Sequence, residues 1–143
     1  MEKLLNKSIN ELEKTSYLAN PSEYDSSLVS RCLELRAKPL KHYTVEDLRL
    51  MIGQSIGLPW LVPLAIKELA NNIFSEGDLY AGDLLINVLR IDVQYWKSNP
   101  LQHLALVRLL EEKLPLADSS EVSNSVLKTI ESALSGLSKI KKA

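Results

Sequence analysis

The sequence predicts an all-α fold, a single compact domain of about six to seven helices spanning residues 1–143. Three observations carry this. Apolar residues recur every three or four positions along almost the whole chain, and no run alternates as a strand would. Proline, glycine, asparagine and serine gather between the periodic stretches, where turns belong. The composition, 45% hydrophobic and 24% charged over 143 residues, is that of a globular chain able to bury one core.

The first helix is expected at 2–14, with Leu5, Ile9 and Leu12 on one face. Asn20-Pro21, in LANPSEYDSS, breaks the pattern. A second helix at 26–37 carries Leu28, Val29, Cys32 and Leu35, and Pro39 ends it because the residue before proline avoids the helical region. Thr44 is a fitting N-cap for a third helix at 45–55, with Glu46 and Asp47 in its first turn, where carboxylates suit the free N–H groups. Leu48, Met51, Ile52 and Ile56 face inward, and Gly57 reads as the stop.

Pro59 opens a fourth helix at 59–71, since its missing N–H costs nothing there; Pro63 could shift the regular start toward Trp60. Leu61, Leu64, Ala65, Ile66 and Leu69 leave this helix apolar on most sides, which marks a core helix. The loop IFSEGDLYAG should be exposed and rich in turns. A fifth helix begins at Gly82 or Asp83 with Leu84, Leu85, Val88 and Leu89. A short element at 92–97 holds Tyr95 and Trp96. Ser98-Asn99-Pro100 starts a sixth helix at 100–113, and Pro115 ends it. Ser119 or Ser120 caps a last helix at 120–138 that buries Val122, Val126, Ile130, Leu134 and Leu137. No solenoid repeat or dividing linker is present.

The chemistry-bearing residues are sparse. His42 and His103 are isolated and one cysteine cannot build a thiolate cage, so no metal site is expected. Cys32, set among Leu28, Val29 and Leu35, reads as a buried inert thiol and excludes an internal disulfide. No glycine-rich phosphate loop precedes a lysine, and acids flank the glycines of GDLYAGD. Ser55, in IGQSIG, lies at a helix end rather than in a nucleophile elbow, and reads as a surface or capping residue. We therefore expect no catalytic residue and no cofactor.

Net charge is −1, which argues against neutralising many phosphates; Lys139, Lys141 and Lys142 form only a basic tail. Residues 44–70 have a helix–turn–helix outline, so a nucleic-acid-binding regulator is the alternative function. Its reading helix, however, would be PWLVPLAIKEL, with Lys67 as its one base. The N-terminus lacks the apolar core of a signal peptide, and no apolar run could span a bilayer, so the expectation is a cytoplasmic protein without nucleic-acid or membrane partners.

Charge is uneven. Residues 43–92 hold seven acids and three bases, a net of −4, against −1 for the whole chain. Such a segment can attract a basic protein, and Tyr80 and Trp60 could anchor it. Capping and core packing are the simpler roles for these residues; for Asp83 in particular, helix capping is the cheaper explanation.

Four motifs then point to a family. They are R-x-K-P-L at Arg36–Leu40, T-V-E-D-L-R at Thr44–Arg49, I-G-Q-x-I-G-L-P at Ile52–Pro59 and G-D-L-Y-x-G-D-L-L at Gly77–Leu85. In this order, over about half the chain (27–100), the sequence resembles the immunity proteins of bacterial contact-dependent growth inhibition (CDI) systems. The resemblance implies a small cytoplasmic protein that binds the C-terminal toxin domain delivered by a neighbouring cell. It implies no catalytic residues. A nuclease toxin would present a basic surface, which an acidic immunity face complements. The expected toxin contacts are Glu76, Asp78, Tyr80 and Asp83, with Glu46 and Asp47 behind them.

Overall fold

A computed structural model describes residues 2–15 and 27–138 of the chain. Among these residues the regular structure is helical, and β pairing is confined to one isolated antiparallel bridge between Glu76 and Ala81. The all-α expectation holds. The predicted break at Asn20-Pro21 and the tail at residues 139–142 lie outside the described residues.

The expected first helix is two: α1, Glu2–Leu5, and α2, Ile9–Glu13. Ser8 divides them. Its hydroxyl accepts from the Glu11 N–H, and the Glu11 carboxylate accepts from the Ser8 N–H, a capping box that starts a helix anew. Ile9 is fully buried, with Leu5 and Leu12 half-buried beside it, so the predicted face survives the break.

Helix α3, Ser27–Arg36, buries Cys32, Leu33 and Leu35 while Leu28 and Val29 are exposed. A 3₁₀ turn at Leu40–His42 leads to α4, Val45–Gly53. Thr44 caps α4 as predicted, in a capping box completed by Asp47. Leu48, Met51 and Ile52 are buried and Ile56 is half-buried.

Gly57 does not stop this helix. The turn comes earlier, where exposed Ser55 takes the left-handed conformation (φ 59°) and the Ile56 N–H reaches back to the Met51 carbonyl. Gly57, also left-handed (φ 67°), instead caps the start of α5, Leu58–Asn71. A Cβ there would sit 2.6 Å from Ile9 Cδ1, so glycine is required by conformation and by space.

Helix α5 is the core helix the sequence predicts, packed against α4, against α6 (Asp83–Leu89) and against α8 (Pro100–Lys113). Leu61, Val62, Ala65 and Leu69 are inaccessible to solvent. It starts one residue before Pro59, and Pro63 lies inside it. Pro63 has no N–H for the Pro59 carbonyl four residues back. Gln102 of α8 fills the gap: its Nε2 donates to that carbonyl at 3.1 Å. Gln102 Oε1 in turn accepts from the Tyr95 hydroxyl on α7, Val93–Ser98.

Asp92 caps α7, accepting from the Gln94 N–H at 2.7 Å, and Trp96 is buried. The last helix starts later than predicted. Asp118 caps a 3₁₀ turn at Ser119–Glu121, and α9, Asn124–Ser138, follows, with the Ser123 hydroxyl accepting from the Val126 N–H. Val122, Val126, Ile130 and Leu137 are buried and Leu134 is half-buried. Helix α9 closes over α6, completing one continuous core from Ile9 to Leu137.

Candidate functional site: the loop between α5 and α6

Four of the acids named from sequence, Glu46, Glu76, Asp78 and Asp83, meet at one place, the loop from Asn72 to Gly82. The prediction of an exposed loop holds for only part of it. Ile73, Phe74 and Ser75 are buried, and the exposed portion beyond Asn72 is Glu76, Asp78 and Leu79, with Tyr80 half-buried against the core. The ends are pinned by the Gly82 N–H, which donates to the Phe74 carbonyl at 3.1 Å.

Two carboxylates hold the tip from beneath. Asp83, at the first position of α6, is inaccessible to solvent (0%). Its Oδ1 accepts from the Gly77 N–H at 2.7 Å, and its Oδ2 accepts from the Leu79 and Tyr80 N–H groups at 3.0 and 3.3 Å. Contrary to the capping role expected from sequence, Asp83 gives α6 no side-chain cap: Gly82 holds the N-cap position, and the Asp83 carboxylate serves the loop before the helix. Glu46, from the first turn of α4, accepts from the Asp78 N–H at 2.8 Å. The side chains of these two acids so crowd Gly77 that a Cβ on it would sit 2.6 Å from Glu46 Oε1 and 3.1 Å from Asp83 Oδ2. Glycine here answers a close approach.

Arg49 offsets one of the two negative charges. Its Nε and Nη2 donate to Glu46 Oε1 and Oε2, both at 2.6 Å, a two-point contact of the stronger charge-assisted kind. Its Nε also lies 3.9 Å from Asp83 Oδ2. The Arg49 hydrogen bonds hold the Glu46 carboxyl below its ordinary pKa; burial opposes them, and the Asp78 N–H adds to them.

Asp47 stands in a separate cluster. It is buried (1%), with Arg31 Nη2 at 2.9 Å and Lys38 Nζ at 2.6 Å on its two oxygens. Burial pushes its carboxyl up, but the Lys38 and Thr44 hydrogen bonds and the two cations outweigh this and leave it lowered. The cluster ties α3 to α4 rather than facing outward. Arg49 entered the sequence reading only as a base in the charge count and a letter of a family motif, Lys38 only as a motif letter, and Arg31 in no motif; the i,i+3 spacing of Glu46 and Arg49 is the signal that points to their pairing.

The six named residues therefore divide. Glu76 and Asp78 are exposed and Tyr80 is half-exposed, whereas Asp47 and Asp83 are buried and Glu46 is bound to Arg49 and the loop backbone. Leu79, 59% exposed at the tip, was missed as a contact because the charge reading sought acids and aromatic anchors, and a loop leucine is neither.

Other sites offer less chemistry. Burial raises the Cys32 pKa against the opposing charges of Arg36 and Arg31, which disfavours the thiolate a nucleophile needs. No group of three His, Cys, Asp or Glu side chains among the described residues could hold a metal ion. No helix there is long and apolar enough to cross a membrane. The helix that would read DNA, α5, turns its apolar residues into the core.

The family model for CDI immunity proteins matches residues 11–106, reaching beyond both ends of the segment that carries the four motifs. No curated protein and no solved structure matches the chain significantly. The matched span, about two-thirds of the chain, contains α3 to α7, most of α2, half of α8 and the whole carboxylate-held loop, and on this match the chain belongs to the family of CDI immunity proteins.

Proposed function

We propose that the protein neutralises its cognate toxin domain by covering the active cleft or substrate groove, without performing a reaction. The toxin is a nuclease with a basic surface, and the contact is the loop tip: Glu76, Asp78 and Tyr80, joined by Leu79. Asp83 and Glu46 act as positioning residues, holding the backbone that presents this tip, and Asp47 fixes α4 beneath it.

One observation carries the reading. Two carboxylates from α4 and α6 are committed to internal N–H groups of a single short loop, while the loop's own two, Glu76 and Asp78, face solvent. A loop fixed before binding loses little conformational entropy when it docks. Exposed acids around an apolar tip suit a basic groove, where charge complementarity speeds encounter and sets register. A tight complex would bury about 1,600 Å² in total, so surface beyond this loop also takes part.

Co-purification with the toxin domain encoded beside it, followed by titration at low and moderate salt, tests the reading. Nanomolar binding that weakens with salt is expected. Glu76→Lys with Asp78→Lys should weaken it at least tenfold. Unchanged affinity in that double variant would remove the loop from the interface.

A further inference from the structure

A hollow of about 350 Å³ opens beside the α5–α6 loop, where the end of α5 meets the chain that follows α8. Ile73 and Phe74, the first apolar residues of the loop, line it, and both are buried. The facing wall comes from beyond α8, which runs directly into a 3₁₀ turn, Leu114–Leu116. Leu116 lines the hollow and is 82% exposed, so it adds apolar surface there that the fold itself leaves uncovered.

Two exposed acids, Asp118 and Glu121, line the same hollow. The Asp118 carboxylate is held in place: its Oδ1 accepts from the Ser120 N–H at 3.0 Å and from the Ser120 hydroxyl at 2.6 Å. Neither acid pairs with a cation among the described residues. Lys113 is the one cation on the lining, so one lysine against two acids leaves the hollow net negative. Apolar walls beside unpaired carboxylates suit a side chain with an apolar stem and a cationic head. Arginine supplies both, and its planar fork donates two parallel hydrogen bonds to a carboxylate.

We infer that this hollow receives an arginine side chain of the toxin, and that the contact begun at the loop tip continues across it. The inference rests on the reading of the loop as the toxin contact and names the further surface that a tight complex requires. Continuity supports it. The Phe74 carbonyl accepts from the Gly82 N–H, so the residues lining the hollow and those at the tip belong to one closed loop. Binding energy concentrates where an anchoring side chain fills a pocket, and arginine is among the residues enriched as anchors.

Titration of the toxin domain against variants of the full chain tests this. Asp118→Asn with Glu121→Gln keeps the shape of the hollow and removes its negative charge. This double variant should weaken binding at least tenfold with the thermal midpoint unchanged. Leu116→Ala should weaken binding severalfold. Lys113→Met removes the competing cation and should tighten binding, a gain that a damaged fold cannot mimic. Among single arginine-to-alanine variants of the toxin, one should make the neutralised double variant nearly silent, as coupled partners do. Weaker binding by Lys113→Met would mean that the hollow takes an anion, and overturns the inference. So does the absence of any coupled toxin arginine. Affinity lost in Glu76→Lys with Asp78→Lys but kept in every hollow variant overturns the inference and leaves the loop tip as the contact. Affinity kept in both sets removes the tip and the hollow together.

Discussion

The Asp78 N–H donates to Glu46 Oε1 at 2.8 Å, joining residues 32 positions apart and fixing the α5–α6 loop to the first turn of α4. Because Arg49 grips the same carboxylate, the loop, α4 and α6 form one unit. Glu46→Ala should cost about 1–2 kcal/mol, the worth of losing a partner to charge-assisted hydrogen bonds. Hydrogen exchange at the Asp78 amide should rise by at least tenfold, and toxin affinity should fall although Glu46 need not touch the toxin. Unaltered exchange at Asp78 would refute the tether.

Asp83 is the larger stake. Asp83→Ala leaves three N–H groups, at Gly77, Leu79 and Tyr80, without their acceptor. The expected loss is about 2–4 kcal/mol, read from urea unfolding. Asp78→Lys, on the exposed tip, should leave the same midpoint within about 0.5 kcal/mol. Affinity and stability therefore separate: Asp83 changes both, Asp78 only affinity. A stable Asp83→Ala variant with weakened binding would make Asp83 itself a contact.

Gly57→Ala meets two penalties, a left-handed backbone and a Cβ 2.6 Å from Ile9 Cδ1. About 2–3 kcal/mol of destabilisation follows from strain and overpacking together. Ile9→Val removes the clashing methyl, so the double variant should be less destabilised than the sum of the singles. Simple additivity would show that the steric contact is relieved some other way.

Pro63→Ala restores an N–H opposite the Pro59 carbonyl that Gln102 now serves. Stability should rise by about 1 kcal/mol, part of the ~3 kcal/mol a proline costs inside a helix. Gln102→Ala should then cost less in the Pro63→Ala background than in the wild type, since the carbonyl has its own helical donor. Equal costs would place the value of Gln102 in its contact with Tyr95 instead.

Glu46 and Asp47 both have lowered pKa values in the folded chain. A carboxyl lowered on folding adds stability above its unfolded pKa of about 4 and loses it as pH falls through the folded value. Unfolding midpoints should be flat from about pH 8 to 5 and drop below about pH 4. Asp47→Asn, though less stable throughout, should show a shallower acid slope. A slope equal to the wild type would move the acid sensitivity to other groups.

Much of the fold could be read from side-chain periodicity, because burial faces depend on local spacing. Thr44, Pro59 and Asn99-Pro100 announce helix starts, and α5 declares itself by being apolar nearly all round. What escaped depends on partners distant in sequence or on conformation. Ser8 splits the first helix through a capping box that continuous apolar spacing hid. Ser55 adopts a left-handed turn that Gly57 was better suited by type to take, because Gly57 is needed where Ile9 presses on the chain. For the loop, sequence found the acids but not their directions. A carboxylate that accepts loop N–H groups and one that faces water look alike until the fold brings Glu46 and Asp83 together at Gly77.

The carboxylate cradle beneath the loop has an evolutionary consequence. Its anchors contact main-chain N–H groups, which every residue but proline supplies, so none of these hydrogen bonds depends on the side chains at positions 76, 78 and 79. Substitutions at the tip can retune which toxin is recognised while the scaffold stays intact. Within such a lineage, diversification would gather at these three positions, and Glu46, Gly77 and Asp83 would change least.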